Sequence, residues 1–143
     1  MKVQSDWIHK ELTESAIEEI SKFSKDIATS DKNPTKGYPL NNDVKTSKLR
    51  RFYGEVKRIQ SKGILDEKNS FRMLKPKLAY AVGREDQKNN PKLKDLFIVL
   101  SDAIDNVEID KIDNENELKK RFSNFVQLFE AIVAYHKFHG GKE

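Results

Sequence analysis

The sequence predicts an all-α protein, a compact bundle of about five helices with a long loop after the first. Three observations carry that expectation. Apolar residues recur near the helical period in several stretches, while strand-like alternation is weak throughout. Pro, Gly and Asn gather between those stretches, as breakers of both helix and strand do. The 143 residues suit a single domain, 1–143, and a charged share of 35% beside a hydrophobic share of 36% describes either a thin bundle with a large solvated surface or a subunit that lives among partners.

Taken in order, the first helix is expected to start at Asp6 as its cap. Its apolar stripe is Ile8, Leu12, Ala16, Ile17, Ile20, Phe23 and Ile27, and Glu11, Glu14, Glu18 and Glu19 keep the other face acidic. Residues 28–45, with Pro34, Gly37 and Pro39, read as a flexible loop longer than ordered connections usually run. The second helix starts at Thr46 or Ser47 and ends at Gly63 with a left-handed cap. The third stretch, 66–84, contains Pro76, which either kinks the helix or sits near the start of a new one. Asn90 and Pro91 open the fourth helix, proline taking its tolerated first position, and Leu93, Leu96, Phe97, Leu100 and Ile104 form its stripe. The fifth runs from near Asn116 to about His139, where Gly140 and Gly141 stop it.

Charge is unevenly spread. Residues 45–84 hold twelve Lys or Arg against three Asp or Glu, while the rest of the chain is net acidic and the whole is +4. A positive excess gathered in one segment suggests a surface for a polyanion; the alternative is a solvated basic face with no ligand. There is no cysteine, which excludes disulfides, thiolate nucleophiles and cysteine-ligated zinc. Residues 1–10 lack the apolar run of a signal peptide, and no apolar stretch approaches the ~20 residues of a membrane span. A cytoplasmic protein without membrane partners is expected.

On a wheel at 100° per residue, Leu49, Phe52, Val56 and Ile59 share the core side of the second helix, with Tyr53 beside them. The other side carries Arg50, Arg51, Gly54, Lys57 and Arg58, with Lys48 on its flank. A glycine inside a helix costs ~1 kcal/mol against alanine. Close approach of a phosphodiester backbone would justify Gly54, and so would close packing of another helix; its cationic neighbours favour the first. Arginine grips phosphate bidentately and lysine acts as a point charge, so such a face positions a strand without reading its sequence. In the third stretch Leu74, Leu78, Ala81 and Val82 form the buried side, and Lys77, Tyr80 and Arg84 lie on one flank. Tyr80 either stacks on a base or sugar or packs at the core edge.

Residues 122–138 are apolar on more than one face. Phe122, Phe125, Val126, Phe129 and Val133 form one side; Leu128, Ala131, Ala134, Tyr135 and Phe138 form much of the other. Such a helix is either central to the bundle or shared with a neighbour, and Leu128, Tyr135 and Phe138 are the candidate protein contacts. His136 and His139 are too few for zinc, no His-Glu-x-x-His pattern exists, and no partner positions them for acid–base work. The acidic stretch 101–117 lacks the central glycine of a calcium loop and reads as a solvated helix end and turn. Neither a phosphate-cradling glycine loop nor a nucleophile elbow is found. No catalytic residue, metal or cofactor is expected.

Three stretches together resemble the small subunit of the type III-A CRISPR effector, the Csm complex: TSKLRRFYGEVKRI (46–59), MLKPKLAYAVGR (73–84) and FVQLFEAIVAYHKFHGGK (125–142). Their order and spacing fit the family over 46–143, and the last stretch is the most telling. The resemblance implies a non-catalytic helical subunit. Copies would stack along the guide RNA–target RNA duplex, beside the backbone subunits and the large subunit, and would stabilise bound target RNA in antiviral defence. It makes Lys48, Arg50, Arg51 and Arg58, then Lys75, Lys77 and Arg84, and finally Lys137 the RNA-facing candidates, to which the wheel adds Lys57 and Tyr80. The apolar last helix is a candidate for homodimerisation of the isolated chain. Two other readings compete: a protein-interaction module whose basic face docks on acidic subunits, and a small ribonuclease using His136, His139 and Lys137.

Overall fold

The computed structural model describes residues 1–30, 42–84 and 90–143, and no strand occurs among them. Seven helical segments follow one another: α1 (Ser5–His9), α2 (Glu14–Ala28), α3 (Thr46–Lys62), α4 (Lys68–Arg72), α5 (Leu74–Arg84), α6 (Pro91–Val107) and α7 (Glu115–Phe138). The all-α expectation holds, and the additional segments come from two breaks.

The first break splits the expected N-terminal helix. Asp6 lies inside α1, behind Gln4 at the cap position. Thr13 then opens α2, its side chain accepting from the Ala16 amide at 3.1 Å. The apolar stripe crosses the break intact, since Ile8, Ala16, Ile20, Phe23 and Ile27 are all buried. The carbonyls freed at the end of α1 are satisfied from α7: Asn124 Nδ2 donates to the Ile8 and Lys10 oxygens at 2.9 and 3.0 Å. The second break falls before Pro76. Helix α4 ends and α5 begins at Leu74, which leaves the proline in the first turn of a new helix, where it removes no interior hydrogen bond.

Other caps follow the sequence closely. The Asn90 side chain accepts from the Lys92 and Leu93 amides ahead of Pro91, and Asn114 accepts from the Glu117 amide to start α7. Gly63 does end α3 with a positive φ of 95°, but its ψ of 131° lies outside the left-handed helical region. That region is taken instead by Glu108 after α6, at φ 56° and ψ 47°.

Helix α7 is the axis of the bundle, packing on α1, α2, α3 and α6. Phe71 of α4 meets Phe122 and Phe125 edge-on at centroid distances of 5.7 and 5.5 Å, a geometry that suits the aromatic quadrupole. Leu128, expected at a subunit contact, is fully buried here and has no surface to offer a neighbour. Lys92 is buried too, yet its ammonium is used: it donates to the Asp26 carbonyl at 2.9 Å and to the Thr29 carbonyl, capping the C-terminal end of α2.

Residues 31–41 of the expected 28–45 loop lie outside the described residues. Residues 42–45 are drawn into the bundle. The Val44 amide donates to the Ile27 carbonyl at 2.7 Å, and Asp43 accepts from Ser30 at 2.6 Å and from Lys45 at 3.1 Å. Burial pushes the Asp43 carboxyl upward, but those hydrogen bonds outweigh it and its pKa is lowered. Among the described residues no helix is long and apolar enough to cross a membrane.

Candidate nucleic-acid interface

Helix α3 turns Leu49, Phe52, Val56 and Ile59 into the core, as its periodicity requires. Arg50, Arg51, Lys57 and Arg58 are consequently exposed, and Lys48 is half-buried at the edge. Gly54 is exposed among them, and a Cβ there would meet nothing within 4 Å. Among the described residues no helix packs on it, so packing within the bundle does not explain this glycine.

Helices α3 and α5 do not pack closely on each other. Between them runs a groove of about 300 Å³ lined by Lys48, Arg51, Lys77 and Arg84, with Tyr80 and Glu55 on its walls and Phe52, Leu74 and Ala81 beneath. Two sequence motifs some thirty residues apart thus supply one cationic site. Tyr80 is 68% exposed, and the Arg84 guanidinium lies 6.0 Å from its ring centroid. Of the two readings for Tyr80, the core-edge one does not fit that exposure.

The positive charges crowd one another. The Lys48 ammonium is held below its ordinary value, first by burial and then by repulsion from Arg84 and Arg51. Glu55 is the one carboxylate among the described residues that line the groove. It is held below the usual carboxylate range chiefly by the Arg58 hydrogen bond, which burial opposes and Lys77 reinforces. Its Oε1 lies 3.0 Å from Arg58 and 3.3 Å from Lys77. No ion pair forms with Arg51 or Arg84 among the described residues, so these two guanidiniums are the most available to an anion.

The remaining candidates are dispersed. Arg58 is clamped between Glu55 and Glu67, at 3.0 and 3.5 Å. Lys57 donates to Gln60 at 2.7 Å and lies 5.9 Å from the Tyr53 ring centroid. Lys75 turns away from the groove to pair with Asp105 of α6 at 2.8 Å. Arg50 and Lys137 share Glu143 at 3.7 and 3.6 Å, forming a separate patch where the chain ends. Beside that patch Phe138 is 78% exposed and Tyr135 half-buried, their rings edge-on at 6.5 Å.

The ending YHKFHGGK serves the fold. His136 is fully buried, and its Nε2 lies 2.7 Å from the Val44 carbonyl, which can only accept, so Nε2 carries the proton. Burial holds its pKa below the ordinary histidine value. Gly141 folds back over the ring, where a Cβ would lie 2.2 Å from two ring atoms, and Gly140 turns the chain at φ +89°. The Lys142 carbonyl then accepts from the Thr46 amide at 2.7 Å, capping α3 from the far end of the chain. His139 is engaged with Ser21 at 3.0 Å. His136 thus holds the C-terminal turn to the bundle, and His139 is half-buried against Ser21.

Sequence reasoning missed the floor of the groove, because Phe52 and Leu74 register only as core residues until two helices are placed side by side. It also missed Asn124 and Lys92, polar residues at interior positions.

A family model described as Csm2 Type III-A matches residues 24–142, a span that begins within α2 and takes in the groove and the C-terminal turn. No curated protein and no solved structure matches the chain.

Proposed function

The chain belongs to the Csm2 Type III-A family, the small subunit of the Csm complex in CRISPR defence, and on that premise we propose that it binds RNA backbone in the groove between α3 and α5. The carrying observation is the convergence of Lys48, Arg51, Lys77 and Arg84 on one side of the bundle against Glu55, the single carboxylate among the described lining residues. Arginine forks at Arg51 and Arg84 suit bidentate contacts to phosphate, and Lys48 and Lys77 add point charges. Contacts of this kind hold a guide RNA–target RNA duplex in position without selecting a sequence, as a subunit that must serve every guide requires. The role is structural: the subunit stabilises bound target RNA in the cytoplasm and leaves cleavage to other subunits. Arg50 and Lys137 form a secondary basic patch, weakened by their shared Glu143.

The exposed Phe138 with Tyr135 supports a second contact, to a neighbouring subunit or a second copy of the chain. A purely protein-docking role for the basic groove is the competing reading. Affinity purification of the tagged chain from its own cells, with sequencing of bound RNA, decides between them. Repeat-derived guide RNA is expected to co-purify, and to be lost on doubling Arg51→Glu with Arg84→Glu. Recovery of partner proteins and RNA unchanged by that double variant would overturn the groove assignment.

A further inference from the structure

Phosphate requires cations, yet the groove between α3 and α5 also has an apolar floor. Phe52, Leu74 and Ala81 lie beneath the rim of Lys48, Arg51, Lys77 and Arg84. Tyr80 stands at the edge, 68% exposed, with the Arg84 guanidinium 6.0 Å from its ring centroid. At about 300 Å³ the groove is at the lower end of the range of small-molecule sites. A continuous duplex keeps its bases stacked inside and offers this surface only sugar and phosphate, leaving the floor uncovered. An unpaired nucleotide carries both required parts: a flat ring with apolar faces, and a phosphate on either side. An acidic peptide would satisfy the rim but brings no obligatory flat ring to the Tyr80–Arg84 pair.

We propose that the groove receives a single unpaired nucleobase of the bound RNA, stacked on Tyr80 above Phe52, Leu74 and Ala81, with Arg51 and Arg84 on the flanking phosphates. The proposal rests on the RNA-binding reading and adds a base to it. It makes the subunit a sensor of local departures from continuous pairing, and the tyrosine tolerates any base because every base has a π-face.

The test uses the full chain and two hairpin RNAs, one fully paired and one with a single bulged 2-aminopurine. Stronger binding to the bulged RNA, by roughly tenfold, is expected, together with quenching of the 2-aminopurine fluorescence. Tyr80→Ala should abolish that preference, and Tyr80→Trp should retain it. Tyr80 is exposed, and unchanged melting temperatures will establish that the variants fold. Equal affinity for the two RNAs, or a preference that survives Tyr80→Ala, would overturn the base pocket and leave backbone binding intact. Failure to bind either RNA at low salt would overturn both. Displacement of the bulged RNA by a glutamate-rich peptide more effectively than by the paired RNA would assign the groove to a protein partner and overturn the proposal.

Discussion

Replacing Arg51 by Gln should remove one phosphate contact and little else. Arg51 is exposed, pairs with no carboxylate among the described residues, and lies opposite the core stripe of α3. Lys77 and Arg58 are partly neutralised by Glu55, and Arg50 by Glu143, so each must give up an acid to hold a phosphate. Lys48, Arg51 and Arg84, which line the groove, are the phosphate contacts expected. Each phosphate neutralised adds about 0.7–0.9 to the negative slope of log K against log salt. Three contacts give a slope of roughly −2.4, a loss of roughly 30-fold in affinity between 50 and 200 mM salt. With Arg51→Gln the slope should fall to roughly −1.6 and the loss to roughly tenfold. Fluorescence anisotropy of a labelled RNA duplex, titrated at four salt concentrations, reads both quantities. Thermal melts should coincide within error, since surface changes of this kind stay within ~0.5 kcal/mol. Arg72→Gln is the control: Arg72 is bonded to Asp110 on another side of the bundle and should leave the slope unaltered. Identical slopes for wild type and Arg51→Gln would refute the reasoning, however tightly both bind.

Three other perturbations test separate parts of the structure. Glu55→Gln removes the groove's carboxylate and releases Lys77, so RNA affinity should rise about threefold near 150 mM salt with a steeper salt slope; weaker binding in the same anisotropy assay would count against the site. Gly141→Ala drives a methyl group into the His136 ring and should destabilise the fold by about 1–3 kcal/mol in urea unfolding, whereas an unchanged midpoint would mean the C-terminal turn is not packed as described. The pH dependence of stability follows from His136. Its folded pKa is depressed by burial below the ordinary 6.5, so the unfolded chain takes up the proton first as pH falls. Stability should be flat above about pH 6.5, decline below it, and level off once the folded form also protonates. His136→Gln, which can still donate to Val44, should shallow that decline; an identical pH profile for the two proteins would remove His136 as its cause.

The sequence by itself determined the fold class and the direction in which most side chains point. Local periodicity is enough for that, because a helical backbone ties each side chain's bearing to its position. The stripes of α3 and α6, the Asn90–Pro91 start and the exposure of Arg50, Arg51 and Arg58 were all legible on this ground. Helix continuity was less so. The apolar stripe keeps its phase through residues 10–13, so nothing in the period revealed that Thr13 restarts the chain. The periodicity of one helix also cannot assign its neighbour. Which cations share a groove depends on α3 and α5 lying side by side, and on Asp105, Glu67 and Glu143 arriving from elsewhere to occupy Lys75, Arg58 and Arg50. Leu128 and Phe138 look alike in sequence, two apolar residues on the same helix, yet one is enclosed by the bundle and the other is 78% exposed beyond its end. Tertiary structure decided these points because charge pairing and burial depend on distances between segments, and a linear pattern holds no information about distance.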